Sequence, residues 1–214
     1  MHQAALGSVL IVLGPQINPL YQTNLLPLLY LMSSVGMGLA AVVFEGTVSA
    51  LAFQRPMERE LLGKLMTIGL WVTASFLLLR FVDLAYRKTL SLAFQPTLVA
   101  GWFWAENVCF AMPLALLAGV RARRQRRRLF LAACALAVAG ILYRLGSYLV
   151  AYDTGAGWHY FPSVGEIVVT VGLVSAEILA IIAAVRVLPV LPTVTRPAPA
   201  VAPSLQISRS RVEE

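Results

Sequence analysis

Few residues in this sequence could do chemistry, and most of them lie where charge is costly. Arg80 and Asp83 stand close together in "SFLLLRFVDLAYRK", 75–88, inside apolar sequence. Glu106 follows in "FWAENV" and Arg144 in "YRLGSY", again among apolar neighbours. A charge at bilayer depth costs about 2.5–3.5 kcal/mol on insertion scales, so each must be balanced or used. Two chemistries fit such a set. One is an ion-paired clamp between helices. The other is a polar wall beside a quinone or proton path.

Two further acids, Glu45 and Glu177, also sit in apolar runs and have no basic partner at helical spacing. Each reads either as a proton-relay carboxyl or as a carboxyl hydrogen-bonded to a neighbouring helix. Glu166 reads differently. In "SVGE", 163–166, Ser163 and Glu166 have the spacing of a capping box at a helix start. Metal chemistry has little to work with. Cys109 and Cys134 lie in separate apolar stretches without C-x-x-C spacing, so no iron–sulfur or zinc site is expected. A haem held by two histidines would need His2 and His159 on facing helices. His159 falls in a polar, Gly-rich stretch, so no haem is expected.

The elements that must position these residues are membrane helices. The chain is 59% hydrophobic and 13% charged, against about 25% charged in a soluble domain. A spanning helix needs about 20 mostly apolar residues. The stretches 25–53, 64–87, 98–119, 129–150 and 164–187 are long enough to span. Residues 4–13 are apolar but too short, and read as the last part of a helix. The tail after Leu188 is Pro-rich and is expected to be disordered.

Lys and Arg in the connections set the orientation. "RARRQRRR", 121–128, "QRPMERELLGK", 54–64, and the tail from Arg186 together carry thirteen; the opposite connections carry two, Arg87 and Lys88. The arginine-rich side, with the C-terminus, is therefore expected in the cytoplasm. Topology accounts for the net charge of +7, and no nucleic-acid partner is expected.

At a rise of about 1.5 Å per residue, Arg80, Asp83, Glu106 and Arg144 fall in one outer slab of the membrane. Their formal charges cancel, which predicts a single network across three consecutive helices. Ser34, Gly38 and Ala41 recur at about one-turn spacing, as close helix contacts require. Trp102, Trp104, Trp158, Tyr160 and Phe161 read as an aromatic belt at the outer interface, or as the edge of a quinone entrance.

Several stretches carry a family resemblance: "HQAALGSV", 2–9; "VVFEG", 42–46; "LRFVDLAYRKTLSLAF", 79–94; "FWAENV", 103–108; "YRLGSYLVAYDTGAGWHYFPSVGEI", 143–167; and "RVLPVLP", 186–192. In them the chain resembles the NrfD/polysulfide-reductase class of integral membrane subunits, and within it the HybB-type "cytochrome b" subunits of nickel–iron hydrogenases. The resemblance runs from His2 to about Pro192. It implies a haem-free, multi-pass subunit of the bacterial inner membrane. Such a subunit passes electrons between a ferredoxin-like iron–sulfur subunit, beside the hydrogenase small and large subunits, and a pool of menaquinone or ubiquinone. Members of this class are about twice as long, so the resemblance makes this chain a C-terminal half whose quinone pocket needs the N-terminal half. It also brings His2 into a family motif. "DTGAG", 153–157, departs from the loop that relatives carry.

The reading is thus an all-α integral membrane bundle of five complete transmembrane helices and a partial N-terminal one. Residues 1–24 form the partial helix and outer loop, 25–150 a four-helix bundle, and 151–163 a periplasmic loop. Residues 164–188 form a last helix packed beside the bundle, and 189–214 the cytoplasmic tail. The polar candidates are His2, Glu45, Arg80, Asp83, Glu106, Arg144 and Glu177. A molybdenum or polysulfide-type reductase subunit, a half-transporter, an ion-binding bundle and a purely structural anchor are the alternatives.

Overall fold

The computed structural model describes residues 2–52, 57–153, 155 and 162–187. Among them the regular structure is helical: α1 His2–Val12, α2 Leu26–Ala52, α3 Arg59–Tyr86, α4 Leu98–Leu116, α5 Arg126–Leu145 and α6 Val164–Val187. Helices α2 to α6 are each long and apolar enough to cross a membrane. His159, Trp158, Tyr160, Phe161 and the tail lie outside the described residues.

The chain divides into two units at residues 161 and 162. In the first, α5 packs on α2 and α4, α3 packs on α2, and α1 lies against α2. Each helix is apolar around its whole circumference, so packing rather than hydropathy selects the buried stripe. On α3 that stripe runs Met66, Leu70, Thr73, Phe76, Arg80 and Leu84. On α4 it runs Ala100, Phe103, Glu106, Asn107, Phe110 and Pro113. The outward faces keep residues such as Ile68, Trp71, Leu78 and Val108 exposed, the surface that lipid covers in a membrane bundle.

Close packing uses other glycines than the spacing predicted. A Cβ on Gly38 would meet nothing within 4 Å. A Cβ on Gly7 would stand 2.7 Å from the Pro27 backbone, where α1 crosses the start of α2. Gly36 faces Leu136 and Thr73 at the α2–α5–α3 junction. Small residues serve helix contacts only in phase with the stripe, and Gly38 is out of phase with Gly36 and Ala40.

The helix ends remote from the arginine-rich turn are tied together. The bridge Ile17–Tyr152 joins the loop after α1 to the chain after α5. Asn18 N donates to Ala151 O at 2.8 Å, and Asp153 N to Gln16 O at 2.7 Å. Helix α5 runs on as a π-helical turn, Gly146–Val150. A Cβ on Gly146 would come within 2.8 Å of Trp102 and 2.9 Å of the Tyr21 hydroxyl, so this turn requires a residue without a side chain. Helix α3 ends in a Schellman motif: Thr89 N donates to Leu84 O and Lys88 N to Ala85 O, both at 3.1 Å. Lys88 takes the left-handed position with φ 57°.

In the second unit α6 starts with both halves of the capping box. Ser163 N donates to Glu166 Oε2 at 3.2 Å and Glu166 N donates to Ser163 Oγ at 3.3 Å. Glu177 lies in the middle of α6.

Candidate functional site

Arg80 lies in phase with Phe76 and Leu84 and is carried inward with them. Glu106, on the buried stripe of α4, comes to the same level. The Arg80 guanidinium donates to Glu106 Oε1 in an ion pair whose side chains are 3% and 0% exposed. Four aromatic rings surround the guanidinium. Its Cζ stands 4.6 Å from the centroid of Phe103, 4.9 Å from Tyr143, 5.4 Å from Tyr21 and 5.9 Å from Phe76. The negative faces of these rings offset part of the cost of stripping water from the cation, each by about 0.5–2 kcal/mol. Burial, with the Glu106 carboxylate beside it, holds the Tyr21 hydroxyl well above its ordinary pKa, so it stays protonated.

The single network of Arg80, Asp83, Glu106 and Arg144 is resolved into three separate arrangements. Asp83 Oδ2 accepts from Arg87 Nε at 2.8 Å, one helical turn on. Arg87 Nη1 also donates to Pro19 O at 2.9 Å, binding α3 to the loop after α1. Arg144 follows Tyr143 and is therefore rotated away from the Arg80 side of α5 toward α2. There it donates to Ser34 Oγ at 2.8 Å, and it also contacts Gly140 O at 2.9 Å and Met37 Sδ at 2.7 Å. Beside it the Tyr30 hydroxyl hydrogen-bonds Ser147 Oγ, which donates to Tyr143 O at 2.8 Å. Arg80 and Glu106 meet, whereas Asp83 and Arg144 turn to other partners.

Glu45 does not enter the bundle interior. The buried stripe of α2 passes through Val43 and Thr47, and Glu45, midway between them, is turned to the opposite, exposed side. His2 is exposed at the first position of α1. Trp102 and Trp104 donate to backbone carbonyls of Leu142 at 3.0 Å and Ala93 at 2.8 Å, as ring anchors at a helix end. Among the described residues, no group of three or more His, Cys, Asp and Glu comes together as a metal-binding cluster.

The residues that sequence reasoning missed are aromatic. Tyr21 sits in an irregular loop and carries no periodic signal of burial. Tyr143 had one, since it lies in phase with Leu136, Ala139 and Gly140 on the buried face of α5. A small cavity joins them. Tyr21, Thr23, Arg80, Asp83, Arg87 and Tyr143 line it, together with three leucines, and about 10 Å³ is open to the centre of a water molecule. That is the scale of a single water site.

Comparison with known proteins gives this geometry a setting. The family described as "Polysulphide reductase, NrfD" matches residues 5–151. The "Probable Ni/Fe-hydrogenase 2 b-type cytochrome subunit" of Escherichia coli (strain K12) is 37% identical over 195 residues, covering 90% of this chain and 50% of that protein. A protein of Nitratidesulfovibrio vulgaris (strain Hildenborough) is 26% identical over 188 residues, covering 83% of this chain and 48% of its own length. The chain thus spans about half the length of the curated relatives it matches. No solved structure matches it significantly.

Proposed function

Since the chain belongs to the polysulphide reductase NrfD family of membrane proteins, we propose that it serves as a quinone-linked membrane subunit of a nickel–iron hydrogenase. In this role it lies in the bacterial inner membrane with its C-terminus in the cytoplasm. It passes electrons between a periplasm-facing, ferredoxin-like iron–sulfur subunit, beside the hydrogenase small and large subunits, and menaquinone or ubiquinone. The observation that carries this reading is the similarity, over nine-tenths of the chain, to a subunit named for a Ni/Fe-hydrogenase.

The chemistry asked of such a subunit is modest but specific. Quinone reduction consumes two electrons and two protons. The electrons come from the partner's iron–sulfur clusters, and the protons must come from an aqueous side. This chain's part is to dock the partner, to border the quinone and to hold polar groups at depth. The cavity beside Arg80 is on the scale of one water and does not fit a quinone ring. We therefore infer that the quinone meets a surface completed by protein outside this chain, and no step is routed through the cavity. The exposed Glu45 and His2 are the polar candidates that such a second half would cover.

The test is co-expression of a tagged chain with the hydrogenase subunits and the N-terminal half of a relative. The reading expects the iron–sulfur subunit to co-purify and the complex to reduce a short-chain quinone with hydrogen. A complex that forms stably yet reduces quinone no faster with the chain than without it refutes the reading. The family name favours a second reading, a membrane subunit of a polysulfide-type reductase. In that case the same preparation exchanges electrons with a molybdenum-enzyme partner and not with hydrogenase.

A further inference from the structure

The cavity between α3, α5 and the loop after α1 has a lining that asks for a particular ligand. Four polar atoms on its lining residues have no hydrogen-bond partner: Tyr21 OH, Tyr143 OH, Arg80 Nη1 and Arg87 Nη2. Glu106 Oε2, the second oxygen of the carboxylate that Arg80 holds, is also without one. Buried polar groups in folded proteins are almost always paired, either with protein or with ordered water. Arg80 and Tyr143 are 3% and 1% exposed, so bulk solvent does not meet their need directly.

The character of the lining narrows the ligand further. Guanidinium groups only donate, whereas phenol hydroxyls both donate and accept. Arg80 is balanced by Glu106 and Arg87 by Asp83, so no net charge is left to draw in an anion or a metal cation. The space suits a molecule of water's size. Water is neutral, that small, and able to donate and accept at once.

We propose that this cavity is an internal water site in exchange with the aqueous phase at the end of the bundle remote from the arginine-rich turn, and that Arg87 is its latch. Arg87 lines the cavity. Its Nε is held by Asp83 at 2.8 Å and its Nη1 by Pro19 O at 2.9 Å, so one side chain closes α3 onto the loop. Arg87 and Asp83 are 24% and 12% exposed, which places this pair where the cavity meets solvent. The water supplies the hydrogen bonds that the aromatic cage cannot give the Arg80–Glu106 pair. The inference does not depend on the electron-transfer reading.

Radiolytic hydroxyl labelling of the chain in nanodiscs tests it. Radicals formed from a trapped water oxidise the side chain beside it even where bulk radicals cannot reach. Tyr143 is expected to be oxidised several-fold faster than Phe110, which is equally buried at 1% exposure, after correction for ring reactivity. After mixing into ¹⁸O-water, the label is expected to reach Tyr143 later than it reaches exposed residues. Arg87→Gln should shorten that lag several-fold, and Asp83→Asn, which frees the same latch from the other side, should do so too. Oxidation of Tyr143 no faster than that of Phe110 overturns the water site, and that comparison needs no variant. An unchanged lag in a folded latch variant overturns the latch.

Discussion

Arg80 of α3 and Glu106 of α4 meet as an ion pair with both side chains shut away from solvent. The aromatic cage shields the pair from bulk solvent, which strengthens the attraction between the charges and also raises the cost of separating them. Removing one partner strands the other. Arg80→Leu or Glu106→Leu is expected to cost about 3–5 kcal/mol, because each leaves a buried unpaired charge. The double substitution should cost clearly less than the sum of the two, because the residues are in contact. Thermal unfolding in detergent, followed by a thiol-reactive dye on Cys109 and Cys134, measures all three variants. Strictly additive losses would mean that the two charges do not stabilise each other.

The crossing of α1 over α2 depends on the absence of a side chain at Gly7. A Cβ there would stand 2.7 Å from the Cα of Pro27 and 2.8 Å from the carbonyl carbon of Leu26. Backbone at the start of a helix has little room to yield. Gly7→Leu is expected to destabilise the first unit by about 1–3 kcal/mol, the usual range for overpacking. Gly38→Leu, with nothing within 4 Å of its Cβ, should be close to neutral. The melting temperatures of the two variants give the comparison, and equal losses would contradict the packing described.

What the sequence made legible follows a simple physical division. Helix number and level in the membrane depend on apolar length and on the basic residues of the connections, and both are local properties. Azimuth depends on which face packing buries. Here the helices are apolar all round, so hydropathy could not say which way a residue turns. Arg80 could still be placed, because it is in phase with Thr73, Phe76 and Leu84. Asp83 had a second cation four residues on, and the i, i+4 rule would have favoured Arg87 over Arg80. Apolar neighbours point Glu45 inward, but it falls between Val43 and Thr47 on the far side of the stripe. Tyr21 could not have been found, because an irregular loop carries no period.

Helix α3 ends with a non-glycine residue in the left-handed region. Lys88 takes φ 57° at the position of the Schellman motif where glycine is usual. A side chain there costs about 1–2 kcal/mol relative to a relaxed backbone. Lys88→Gly removes that strain but adds chain entropy to the unfolded state, so the net expectation is a stabilisation of less than about 1 kcal/mol. Lys88→Val should be destabilising instead, because a β-branched residue tolerates this region poorly. Differential scanning fluorimetry ranks the three proteins, and a Val variant at least as stable as the Gly variant would argue against a left-handed Lys88.

The two ends of the bundle should face different compartments. Arg123 pins the turn between α4 and α5, with Nε donating to Leu117 O at 3.0 Å and Nη1 to Thr67 Oγ1 at 3.3 Å. Arg121, Arg124 and Arg126 to Arg128 are left exposed around it. Helix α5 therefore begins with arginines in its first turn, where the helix dipole disfavours cations. Dipole interactions at exposed ends are worth about 0.3–1 kcal/mol. Moving such a cluster through a membrane would cost far more, at about 2.5–3.5 kcal/mol for each arginine. The proposed cytoplasmic location of this end accounts for arginines at a helix start that the dipole disfavours. In a background with Cys109→Ala and Cys134→Ala, a cysteine at Lys88 is expected to react with an impermeant thiol reagent in intact cells. A cysteine at Arg124 should react only after the cells are opened. Labelling of Arg124→Cys before Lys88→Cys in intact cells would turn the bundle over, and would place the cavity latched by Arg87 on the cytoplasmic side.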